Sequence, residues 1–204
     1  MDRPASLAVL VAIPFLAVVF YLSTRMMNPF WGYALGLAVY WFIVLMPLIL
    51  WRSGFQTARF ALRKPSPVFV LLNLLLIAGV AVAAVFGLYQ NMLPLYVLIA
   101  VALGALLNGT LEEVFWRGVV LKDNATQKEQ IGQIALFTSW HIALLFASGI
   151  VVTGGALALL AGAAFAGTLW TFGRMQTGTI GFGILCHVGL NLFAFTELAT
   201  KNFV

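Results

Sequence analysis

An all-α, polytopic transmembrane bundle of about seven helices is predicted, on three observations. Of the 204 residues, 63% are hydrophobic and 8% charged, against about 45–50% and about 25% in soluble domains. Seven apolar stretches approach or exceed the ~20 residues that a bilayer-spanning helix needs. Only short connections remain between them, so residues 1–204 read as a single transmembrane domain. A water-soluble domain of this size cannot hide so much apolar surface. Soluble enzymes, nucleic-acid binders and disordered regulators are therefore disfavoured.

The stretches run over 7–22, 30–51, 68–89, 93–121, 131–148, 151–172 and 179–198. The first lacks a clear small-x-small cleavage site and a second span follows within eight residues, so it reads as a helix rather than a signal peptide. The fourth is long, about 29 residues, and is expected to open with an irregular or tilted turn near Pro94. The sixth carries Gly154, Gly155, Gly162 and Gly167. Small residues let membrane helices approach closely, so this stretch is expected to pack inside the bundle. Asn73, alone in the third span, reads as a helix-to-helix contact, and Cys186 as a packing residue. Met26 and Met27 read as lipid-facing or packing residues.

The formal charge is +5, from 11 Lys and Arg against 6 Asp and Glu. In a membrane protein this balance orients the spans, with no nucleic-acid partner implied. With the amino terminus in the cytoplasm, Arg3, Arg52, Arg59, Arg63, Lys64, Lys122, Lys128 and Arg174 fall inside, and Arg25 and Lys201 outside. The largest basic cluster, 52–64, is expected to be an interfacial segment against anionic lipid. Glu197 and Lys201 are expected at the outer interface.

Ionisable side chains inside spans cost at least ~2.5 kcal/mol each on insertion scales and need a compensating reason. Glu112, Glu113 and Arg117 stand in the fourth span, His141 in the fifth, and His187 and Asn191 in the seventh. Glu113 and Arg117 share a helix face at i, i+4, acid first, which favours a pair. Glu112 is turned by ~100° from Glu113, so one carboxylate is left over. Asn108 precedes Glu112 by one helical turn and can hydrogen-bond to it. On straight helices Glu113, His141 and His187 lie ~13, ~15 and ~12 Å from the same membrane face. Three spans thus bring their costly groups to one level, the cytoplasmic side of the bilayer.

These groups suit hydrolysis. A carboxylate not consumed by Arg117 can act as general base on water, with a histidine sharing the proton work. A histidine and an asparagine on one helix face can donate to a developing oxyanion. No buried aspartate is present, and Ser139 and Cys186 point away from the neighbouring histidines, which disfavours Ser or Cys nucleophiles. Glu112, His141 and His187 are also a possible zinc set with an open position. Residue types alone leave metal-bound and carboxylate-activated water both open. Two readings of other classes stand beside hydrolysis. One is a non-catalytic membrane scaffold or immunity protein of the same fold. The other is a small transporter or proton relay, which the clustering toward one face disfavours.

The motifs Glu112-Glu113-x-x-x-Arg117, Phe137-x-x-x-His141 and His187-x-x-x-Asn191 occur in this order on three spans. In them the chain resembles the CPBP family of intramembrane proteases, which includes the type II CAAX prenyl endopeptidases and many bacterial Abi proteins. The protease-like region covers 108–191, and the amino-terminal third is similar only as apolar helices. The resemblance implies a glutamate-dependent endopeptidase without a metal cofactor. In it Glu112 activates water with help from His141, and His187 and Asn191 stabilise the oxyanion. Glu113 and Arg117 brace the site, with Asn108 and Phe137 in supporting positions. The implied partners are the lipid bilayer and a membrane-anchored or lipidated protein or peptide. The short loops and compact bundle point to a bacterial cytoplasmic membrane. The family often has eight membrane helices, one more than counted here.

Overall fold

Seven helices succeed one another in the computed structural model, which describes residues 1–63 and 65–203. They are α1 (Arg3–Met26), α2 (Pro29–Trp51), α3 (Pro67–Gln90), α4 (Leu95–Val120), α5 (Gln127–Trp140), α6 (Gly155–Thr177) and α7 (Gly181–Asn202). All but α5 are long and apolar enough to cross a membrane. Together with the family assignment below, they make this a multi-pass membrane protein. Lys64 of the basic cluster lies outside the described residues.

Each start has a local cause. Asp2 accepts from the Ala5 N–H, Asn28 from Phe30 and Ser66 from Phe69, and each cap is followed by a proline in the first turn. Pro94 caps α4, so the irregular start expected there reduces to a proline just before the first turn. Thr126 and Glu129 close a capping box on α5. Gly178, at φ 72°, ends α6 in the left-handed conformation that suits glycine.

The fifth stretch departs from the expected continuous span. Its α-helix stops at Trp140, and His141–Phe146 forms a 3₁₀ segment. The first turn of α5 is polar (Gln127, Lys128, Glu129, Gln130), which shortens its apolar length. Two other helices change pitch without breaking. Tyr40–Leu45 of α2 and Val114–Val120 of α4 widen into π-helix, a form found mostly as short insertions, frequently at functional sites. The two wide segments meet where the Trp116 indole donates to the Tyr40 hydroxyl at 3.2 Å.

Helix α7 lies along both α3 and α4, α1 packs on α2 and on the 3₁₀ segment, and α5 on α6. The Gly- and Ala-rich α6 does not lie wholly inside, contrary to expectation. Residues 155–158 are exposed, and an added Cβ at Gly155 or Gly162 would meet nothing within 4 Å. From Ala166 to Arg174 one face is buried. The second half meets the motif-bearing helices through Gly167, Trp170 and Arg174. The first half borders a cavity.

The basic segment between α2 and α3 also makes contacts with the helices. Arg52 bonds Asp2, Arg59 donates to the Gly118 carbonyl, and Arg63 donates to the Thr177 carbonyl at 3.3 Å. Carbonyls at helix C-termini lack intrahelical partners and attract cations. Arg59 is half-buried against α4, while Arg52 and Arg63 reach α1 and α6 and stay exposed.

Candidate active site

The last turn of α4 before its π segment carries Glu112 and Glu113, both buried. The pair foreseen from i, i+4 spacing is present: Arg117 Nη1 donates to Glu113 Oε1 at 3.0 Å. Arg117 Nη2 donates to the Gly167 carbonyl at 3.1 Å, and its guanidinium stacks 4.3 Å above the Phe137 ring. Such a cation over an aromatic face in a dry interior gains of order 2 kcal/mol. Phe137 in turn meets His141 edge-on at 4.9 Å and His187 at 6.4 Å.

His187 bridges the two acids. Its Nδ1 lies 3.1 Å from Glu113 Oε1 and its Nε2 3.3 Å from Glu112 Oε2. Glu113 already carries the charge that offsets Arg117, so it accepts from a protonated Nδ1. The remaining contact then holds two acceptors face to face unless one proton lies between Nε2 and Oε2. Glu112 and His187 thus stand within ion-pair distance beside the Glu113–Arg117 pair. Both Glu112 oxygens lack a hydrogen-bond partner of ordinary geometry among the described residues. Asn108 and Tyr40 both stand beside Glu112. The Asn108 carbonyl oxygen accepts from the Trp41 indole at 2.7 Å, which leaves its Nδ2 as the group that can donate to Glu112.

His141 sits where α5 ends, and its Nδ1 lies 2.8 Å from the Phe137 carbonyl. A carbonyl only accepts, so Nδ1 carries the proton and Nε2 keeps its lone pair. Asn191, one turn along α7 from His187, has its Nδ2 buried and without a partner among the described residues. Asn108, His141, His187 and Asn191 line one cavity of about 380 Å³. Glu112 lies behind this wall, reached through His187. A second cleft of about 190 Å³ opens beside it between α3 and α6 and shares His141, His187 and Asn191.

Among the described residues no three His, Cys, Asp or Glu side chains gather as a ligand set. Glu112 and His187 approach each other, but His141 does not join them in such a set.

Several supporting residues had no signal in the motifs. Trp170 of α6 stacks on His187 with ring centroids 3.8 Å apart and planes 22° from parallel. Asn73 fixes that indole by accepting its N–H at 3.0 Å while donating to the Phe69 carbonyl. The contact expected of Asn73 is thus between α3 and α6. Tyr40 stacks on Trp140 at 3.9 Å. Gly109 lets α4 and α7 touch: a Cβ there would fall 2.7 Å from the Val188 backbone nitrogen. Of these only the isolated Asn73 stood out in the sequence, and it has no spacing relation to the motifs.

No curated protein and no solved structure matches this chain. The family model for type II CAAX prenyl endopeptidase Rce1-like proteins matches residues 93–193. That range covers α4, α5, α6 and the part of α7 that carries His187 and Asn191, and it leaves α1 to α3 outside. Through this Rce1-like region, the chain belongs to the CPBP/CAAX family of intramembrane proteases.

Proposed function

We propose that this member of a protease family is a glutamic-type intramembrane endopeptidase. In this reading it hydrolyses a peptide bond in a membrane-anchored or lipidated substrate without a metal. The carrying observation is a carboxylate, Glu112, fully buried and 3.3 Å from a histidine that lines a cavity. Burying an acid is costly, and catalysis explains the cost of one placed just behind a cavity wall. Glu112, with His141 Nε2 as a second acceptor, takes the proton of a water as its oxygen attacks the scissile carbonyl. The developing oxyanion receives hydrogen bonds from Asn191 Nδ2 and from a protonated His187 Nε2. Collapse breaks the C–N bond, and the abstracted proton goes to the leaving amine. Glu113 and Arg117 keep His187 in register. By the basic-residue bias the amino terminus is cytoplasmic, and the family and short loops support a bacterial inner membrane.

Glu112→Gln removes the base and keeps the shape. It should cut turnover at least ~10²-fold, and Asn191→Leu should do the same by removing an oxyanion donor. The substrate for this assay comes from the uncleaved membrane protein that accumulates in cells lacking this gene. Full cleavage by Glu112→Gln would remove the catalytic assignment and favour a non-catalytic scaffold.

A further inference from the structure

The cavity at His141, His187 and Asn191 extends toward one end of the bundle. Beyond the catalytic wall its lining continues through Ala194 and Glu197 of α7, Thr153 of the loop before α6, and Ala158 of the first turn of α6. Thr153 and Ala158 are exposed. Lys201 pairs with Glu197 at 2.7 Å, and the Thr153 hydroxyl joins them, which makes a polar rim. The other end is shut. Past Glu113, the space toward Arg174 and Thr179 has no room for a water. Below it, Arg59 and Arg174 both pair with Asp123, and Arg174 Nε donates to the Arg117 carbonyl at 3.2 Å. The Ile180 N–H donates to the Arg59 carbonyl at 2.8 Å, which ties the segment between α2 and α3 under the start of α7.

The rim and the basic connections therefore lie at opposite ends. The chemistry stands nearer the basic end in depth, yet its cavity faces away from it. We propose that the site takes its substrate from the membrane face opposite the basic loops, past Thr153, Glu197 and Lys201. On the positive-inside bias that face is the non-cytoplasmic one. The substrate class is then a membrane-anchored protein whose scissile segment lies at or just inside the non-cytoplasmic leaflet. This rests on the peptidase reading of the site. The helical distance from His187 to Glu197 is ~15 Å, which an extended peptide covers in about four or five residues.

The test is side-specific thiol labelling in right-side-out and inside-out membrane vesicles. The background is Cys186→Ser, since Cys186 is the one cysteine of the chain and is buried. Ala194→Cys reports the cavity, and Asn124→Cys reports the connection between α4 and α5 at the basic end. With a membrane-impermeant maleimide, Ala194→Cys should react only from the face opposite the one that labels Asn124→Cys. Prior labelling at position 194 from that face should abolish cleavage of the accumulated substrate. Labelling of Ala194→Cys from the Asn124 face, from both faces, or from neither while the denatured protein labels fully, would overturn the proposal. Failure of the peptidase reading looks different: Glu112→Gln would keep cleaving, whatever the labelling pattern.

Discussion

His187 is held on three sides, by Glu113 at Nδ1, by Glu112 at Nε2 and by the Trp170 ring against its face. Motif spacing accounts for the first two contacts only in part, and for the third not at all. Trp170 therefore makes the sharper test. Trp170→Phe keeps an aromatic face but gives up the hydrogen bond to Asn73, a net loss of about 1 kcal/mol. As a positioning change it should lower kcat a few-fold with KM unchanged, and Asn73→Leu should do the same without touching the cavity. Equal effects on KM, or none on kcat, would make the Asn73–Trp170 contact purely structural. At this level the sequence was most legible where partners sit on one helix, as Glu113 and Arg117 do. It was least legible where the partner comes from another helix. Asn108 is the instructive case: one turn from Glu112, yet its oxygen is engaged by Trp41 of α2.

Helices α4 and α7 carry both halves of the site, so their separation sets its geometry. Gly109 controls that separation, because a side chain there would collide with Val188 backbone, which cannot move aside. Gly109→Ala should lose ~1–3 kcal/mol by overpacking. Thermal unfolding in detergent and peptidase activity should then fall together. Gly162→Ala is the control: its added methyl meets nothing within 4 Å, so the helix should gain ~0.5–1 kcal/mol from the lost flexibility of glycine. A stable, fully active Gly109→Ala would show that α4 and α7 have slack. Six of the seven spans were plain from apolar length, since a bilayer imposes the same ~20-residue requirement on each. The fifth was not, because its polar start and the turn at His141 mask where regular helix ends. The exposed half of α6 was also hidden. Small residues permit close packing, but they also line open space, and the sequence does not say which.

Asp123 fastens the basic end as a unit, tying α4 and α6 to the segment between α2 and α3. Hydrogen bonding from the Arg174 guanidinium holds its carboxyl below the ordinary value of 3.8, and the charge of Arg59 acts in the same sense. A carboxylate depressed in the folded state stabilises above its unfolded value and loses that contribution as pH falls through its folded one. Unfolding temperature should therefore be flat above about pH 4 on this account and drop below it. Asp123→Asn should be less stable at neutral pH and should show less of that acid loss. An unchanged acid profile in the variant would mean that other carboxylates govern it. Composition and apolar periodicity sufficed for a membrane bundle, because burying lipid-facing surface is a requirement that every span meets locally. The ordered motifs sufficed for the family, because spacing along a helix fixes which side chains share a face. The partners of Asn108 and His187, the shut basic end and the direction in which the cavity opens come from contacts between residues far apart in the chain. Those contacts depend on how the helices pack, and no local pattern encodes that.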